Sequence, residues 1–242
     1  MLFKYYIHKQ KYIMHYGKLY LVTLDFLLDE LTKYQNLMEK FLISQMLVLE
    51  TDMKEFEIEK TNFLKTNPEY YEMREDELSI EDYDVTIAFP HSFRSSHFTL
   101  IISAFENYIN HLCNIVGMRK KQLFFADDLA GTGGGDLDKM KKYLEKLEVS
   151  FSPGQYEWTF INKCKKLRNL IIHKDCIYKT ANEDMVSFVN SQSSLRALPI
   201  ENLRRGEIPT RFKFNFIDRG LNDTLILNIK SFCNKVLSDA NI

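Results

Sequence analysis

The fold this sequence predicts is an all-α helical bundle with a long N-terminal helix and a small β element near the C-terminus. Three observations predict it. Hydrophobic residues fill 45% of the 242 positions, enough for a sizeable core. Helix breakers are scarce, with five prolines and nine glycines, four of the latter confined to Gly131-Thr132-Gly133-Gly134-Gly135. Apolar residues recur at three- and four-residue spacings over most of the chain, and strict alternation is found at Arg211 to Phe216.

The first sixteen residues mix aromatics with Lys4, Lys9 and Lys11 and suit either a short strand pair or the start of a helix. From about Lys18 a long helical pattern carries Leu21, Leu24, Leu28, Leu31, Leu37, Phe41 and Leu42. It runs on through Leu49 and Phe56, with room for a break, and ends before Asn67-Pro68, where proline pushes its predecessor out of helical geometry. Residues 69–84 are strongly acidic and read as a linker or exposed insertion. Ser92 or Ser95 can cap a helix over about 95–121, with Phe98, Ile101, Ile102, Phe105, Ile109, Leu112 and Val116 as its core stripe.

The glycine-rich stretch lacks the Gly-Lys-Ser/Thr ending of a phosphate loop, so it reads as a flexible connector. Asp136 can cap a helix over 137–148, and Ser152-Pro153-Gly154 breaks the chain again. A helix from about Gln155 then buries Trp158, Ile161, Cys164, Leu167 and Ile171. Arg211 to Phe216 is a strand whose aromatic face either covers the helices or stacks bases. Asn222 or Asp223 opens a last helix bearing Leu225, Leu227, Ile229, Phe232, Val236 and Leu237. The expected organisation is an N-terminal helical extension with its acidic linker, 1–90, packing on the same core as a helical domain over 91–242.

Net charge is −1, but its distribution is uneven. Residues 1–90 carry 10 basic and 17 acidic side chains and residues 91–242 carry 22 and 16, so the C-terminal part suits an anionic partner such as nucleic acid. The four cysteines show no metal-binding or disulfide spacing and read as buried free thiols of a reducing compartment. No apolar run approaches the 18 residues or more of a membrane span, and no secretory leader is legible, so the expectation is a soluble cytoplasmic protein.

The chemistry concentrates in Lys166-Leu167-Arg168-Asn169-Leu170-Ile171-Ile172-His173. Arginine holds a phosphate, and histidine moves a proton near neutral pH. At 100° per residue Asn169 and His173 share a helix face, whereas Arg168 and His173 lie about 140° apart. Either the helix distorts near His173, or two helices of a symmetric dimer pool their groups. Glu106 lies beside the core stripe of its own helix, where a carboxylate belongs at an edge or facing a polar site. Asp175, seven residues after Arg168, can pair with it across one helix face.

Arg168-Asn169-Leu170-Ile171-Ile172-His173 resembles the R-N-x3-H form of the motif of the HEPN superfamily, and Ser96 to Ile109 is similar to the earlier core helix of such domains. The resemblance covers about residues 92–178. It implies a helical bundle of HEPN type and a homodimer with a composite site in the cleft between protomers. It also implies metal-independent endoribonuclease activity in a toxin or antiviral defence setting. Arg168, Asn169 and His173 would then be catalytic, with Glu106 and Asp175 in support and Lys165, Lys166 and Lys174 holding flanking RNA phosphates. No metal and no cofactor is implied; the implied partners are RNA and an antitoxin or defence-system protein. The alternative it allows is a catalytically silent module that dimerises or binds RNA or a partner. Where many such toxins continue His-x-Tyr, this chain has Asp175, which argues against silencing by tyrosine modification.

Overall fold

The structure, a computed structural model, describes the backbone of residues 2–63, 68–122, 136–200 and 209–239. Side chains are described for these except 2–23, 61–63, 68–71, 136 and 237–239. Helix α1 (Leu2–Phe63) is unbroken, so the N-terminal aromatics belong to a helix and not to a strand pair. Its inward side chains fall on a seven-residue repeat, Leu28, Gln35, Leu42, Leu49 and Phe56, all buried, because seven residues nearly complete two turns. Leu37 and Phe41, expected inside, are exposed. Phe41 belongs to a second apolar stripe, Leu27, Tyr34, Phe41 and Val48, that is largely exposed, although the Tyr34 ring also rests on Phe93.

The acidic segment expected to be a linker is instead helix α2 (Pro68–Tyr83). Leu78 is its anchor, buried against Leu49 and Phe56 of α1, and Lys60 reaches back to Glu75 at 2.8 Å. Glu72, Asp76, Glu77 and Glu81 are exposed to water, where a helix needs no apolar side chains. One π-helical turn (Asp84–Ala88) joins α2 to α3 (Phe89–Arg119). Helix α3 starts at Phe89 with Pro90 in its first turn, and not at a serine cap. The expected α3 stripe is buried throughout. The glycine-rich connector and the capping role of Asp136 lie outside the described residues.

Helix α4 (Asp136–Lys146) and a 3-10 turn at Ser152–Gly154 lead into α5 (Gln155–Lys174). Trp158, Ile161, Cys164 and Leu167 are buried as expected, and Ile171 packs at the edge of the same core. Three short elements follow that periodicity did not announce: β1 (Ile177–Lys179), α6 (Glu183–Asn190) and β2 (Leu195–Pro199). The expected strand, β3 (Arg211–Phe216), lies between β1 and β2 and is antiparallel to both. Tyr178 pairs with Phe212 and Ala197 with Phe214. Phe214 and Phe216 are buried against the helices, so this face is core and not a platform for bases. Helix α7 (Gly220–Asp239) closes the bundle; its Leu227 is exposed.

The fold is thus all-α with a small three-stranded sheet near its C-terminus. Helices α1, α3, α5 and α7 share one core with that sheet. Arg94 of α3 bonds Glu39 of α1 through Nε and Nη2 at 2.8 and 2.7 Å and the carbonyl of Ile217 through Nη1 at 2.8 Å. This two-toothed pair is largely buried and joins three parts of the chain. All four cysteines are buried free thiols. Among the described residues no helix is long and apolar enough to cross a membrane.

Near this clamp, His97 is buried between Tyr34 and Phe93 with neither ring nitrogen partnered among the described residues. Burial pushes its pKa down to about 4, with Asp223 and Arg219 acting in opposite directions. The unfolded chain takes up that proton near 6.5, so protons favour unfolding as pH falls from about 6.5 toward 4. Stability is expected to drop by about 2 kcal/mol over that window through this residue. His97→Leu should flatten the acid side of a denaturant-midpoint profile while leaving pH 7 stability equal or higher. An unchanged acid slope would contradict this role.

Candidate functional site

Helix α5 presents the motif on two faces. Arg168 lies at the edge of the α3 contact with its side chain 22% exposed, while Asn169, His173 and Lys166 are exposed. The last three recur at i, i+3 and i+7 and therefore form one solvent-facing stripe. The helix runs regularly to Lys174 and then stops. Asp175 and Cys176 follow with φ of 48° and 63°, and the N–H of Cys176 returns to the carbonyl of Leu170 at 3.1 Å. No distortion precedes His173, so in one chain Arg168 and His173 point about 140° apart around the axis.

Glu106 of α3 is the acidic centre opposite α5. It holds Lys165 Nζ at 3.0 Å, and Arg168 Nη2 stands 3.7 Å from its other oxygen. Arg168 also donates to Asn169 Oδ1 at 3.2 Å and to Ser103 Oγ at 3.5 Å, and its Nε has no partner among the described residues. These contacts are long for a guanidinium, whose charge-assisted bonds run nearer 2.7–2.9 Å. Arg168 is held in place without being satisfied, which leaves it free to turn to an anion. Lys165, expected to hold a phosphate, is committed to Glu106 and only 14% exposed.

Lys166 and Lys174 are exposed. Asp175 does not pair with Arg168. Its left-handed backbone carries it off the helix toward β3, where it accepts from Lys213 at 2.8 Å. Ser103 and Lys213 had no motif to mark them. Only the fold brings them beside α5.

A cavity of about 550 Å³ opens one turn beyond Arg168. Ile171 and Asp175 of the α5 end, the start of α3 and the outer face of β3 line it. Within it the N–H of Phe216 donates to His91 Nδ1 at 3.1 Å, which leaves Nε2–H facing Cys176 Sγ at 3.7 Å. Burial and the nearby charge of Lys213 lower the His91 pKa, while burial and Asp175 raise the Cys176 thiol to about 11. A neutral donor imidazole facing an un-ionised thiol is a structural contact and not a nucleophile–base pair. Among the described residues no group of three His, Cys, Asp or Glu side chains is arranged to hold a metal. No family model matches this chain, and neither does any curated protein or solved structure.

Proposed function

We propose that this protein is a metal-independent endoribonuclease working as a homodimer, a toxin or antiviral effector restrained by an antitoxin or defence-system partner. The supporting observation is the state of Arg168: placed by Glu106, Ser103 and Asn169, yet short of good partners, beside an open face carrying Asn169 and His173. Because the two ends of the motif diverge on one helix, the reading requires that Arg168 and His173 of facing protomers form each site.

In that site neutral His173 removes the proton of a ribose 2′-OH. The 2′-oxygen attacks the adjacent phosphorus, and the bond to the 5′-oxygen breaks. The proton that His173 took is then returned to the leaving oxygen by the same imidazolium. Arg168 neutralises charge building on the non-bridging oxygens. Products are a 2′,3′-cyclic phosphate and a 5′-hydroxyl, and DNA, which lacks the attacking group, is not cut. Lys166 and Lys174 hold neighbouring phosphates.

Labelled single-stranded RNA and DNA of one sequence, incubated with the protein in EDTA, test this. Cleavage of RNA alone with cyclic-phosphate ends is the expected result. Intact RNA would contradict it, and binding without cutting would favour a silent RNA-binding module. Glu106→Gln removes the charge that places Arg168. It should slow cleavage about tenfold through kcat, with the pH profile unmoved because His173 is untouched. A shifted profile would give Glu106 a proton-transfer role instead.

A further inference from the structure

The cavity beyond Arg168 has a lining that the chemistry at Arg168 does not use. One wall is apolar, formed by Ile171, Leu198 and Pro199. The lining also offers the hydroxyls of Ser92 and Ser96, both on exposed positions of α3, and an aromatic ring and a cation, Tyr83 and Lys213. Tyr83 ends α2 where the chain enters its π-helical turn, and it is 55% exposed. Lys213 lines the same cavity, and its pKa is raised first by its bond to Asp175.

That bond lies at the surface, with Asp175 77% and Lys213 34% exposed. Such pairs are worth little in water and exchange readily for another anion. The volume suits a nucleotide-sized ligand, and the mixture of apolar wall, hydroxyls, ring and cation matches a base, a ribose and a phosphate.

The position of the cavity narrows the ligand further. Ile171 follows Arg168 at i+3, so the near wall of the cavity lies on the same side of α5 as the arginine, about 5 Å along the axis. Across from them, Ser96 and Ser103 of α3 are likewise seven residues apart, and Ser103 touches Arg168. A strand gripped at Arg168 therefore runs directly into the cavity.

We infer that this cavity is a subsite for an unpaired nucleotide of the RNA strand held at Arg168, its base stacked on Tyr83 and its phosphate against Lys213. The inference rests on the ribonuclease reading and adds a substrate class: the RNA must be single-stranded here, because a base locked in a duplex cannot present its face to Tyr83.

The test uses a fluorescein-labelled 2′-O-methyl oligoribonucleotide, which lacks the attacking hydroxyl and stays intact, alone and annealed to its complement. Polarisation should show the single strand binding at least tenfold more tightly than the duplex. Tyr83→Ala should weaken single-strand binding about tenfold, and Tyr83→Trp should retain it. Lys213→Gln should weaken it several-fold and reduce the salt dependence by about one counterion. Tyr83 is exposed, so these variants should fold, and circular dichroism checks that they do.

Equal binding by Tyr83→Ala, or equal binding of the duplex, overturns the subsite. If the wild type cuts RNA while Tyr83→Ala binds and cuts normally, the subsite fails and the nuclease reading stands. If the tyrosine dependence holds but no RNA is ever cut, the subsite stands and the nuclease reading fails.

Discussion

Replacing His173 by alanine is expected to slow RNA cleavage by about two to four orders of magnitude while leaving the fold untouched. The side chain is exposed at the end of α5, and exposed substitutions away from caps and ion pairs usually move stability by no more than about 0.5 kcal/mol. Its loss therefore reads out chemistry and not folding. Without the imidazole, water must take the 2′-hydroxyl proton and supply one to the leaving oxygen. Binding of the uncleavable strand should stay within about twofold, since phosphate contacts made elsewhere are retained. Unimpaired cleavage by His173→Ala would remove this residue from the site, and with it the motif's meaning.

The largest effect on stability is expected at Phe232→Ala. Phe232 is 1% exposed and sits among three other rings: Trp158 at 5.3 Å, Phe151 at 5.4 Å and Phe105 at 5.8 Å between centroids. These come from α3, α5, α7 and the turn before α5, so one ring joins the main helices of the bundle. Truncation deletes the ring's burial and leaves a cavity that four separately anchored segments cannot all close. The cost should be about 3–5 kcal/mol, a large part of the 5–15 kcal/mol or so that holds a typical domain.

The site also resists enlargement: a Cβ on Gly154 would stand 2.8 Å from Phe232 Cδ2 and 3.2 Å from Val236 Cγ2. Leu227→Ala on the same helix is the control, because Leu227 is exposed and its loss should cost under about 0.5 kcal/mol. Urea unfolding measures both. A cost below about 1 kcal/mol for Phe232→Ala would mean the ring cluster is not the keystone described.

Helix α5 was legible because each of its signals agreed. A proline-glycine break precedes it, its stripe keeps a 3.6-residue period, and β3 announced itself by alternation in the same way. Helix α2 was not legible. Its only buried side chain among the described ones is Leu78, and what fixes it is the α1 surface offered by Leu49 and Phe56, a tertiary contact absent from local composition. Helix α1 failed differently: it carries two apolar stripes, and periodicity cannot say which one the core covers. Strands β1 and β2 are too short to show a period and exist because β3 lies between them.

At the candidate site, the edge position of Glu106 could be read from its place beside the α3 stripe. The diversion of Lys165 to Glu106 could not, because it depends on how α5 docks against α3. Asp175 was misplaced for a local reason. Helical arithmetic carried it past the residue where the backbone turns left-handed, so its carboxylate meets Lys213 instead of Arg168.

The composite site across two protomers is tested most directly by mixing two inactive variants. Arg168→Ala and His173→Ala are each purified, unfolded together in equal amounts, refolded, and assayed on labelled RNA in EDTA. Half of the dimers are then mixed, and each of these joins one intact Arg168 to one intact His173 across the interface. Activity should return to about a quarter of the wild-type level treated in the same way. A mixture no more active than either variant alone would contradict the composite site.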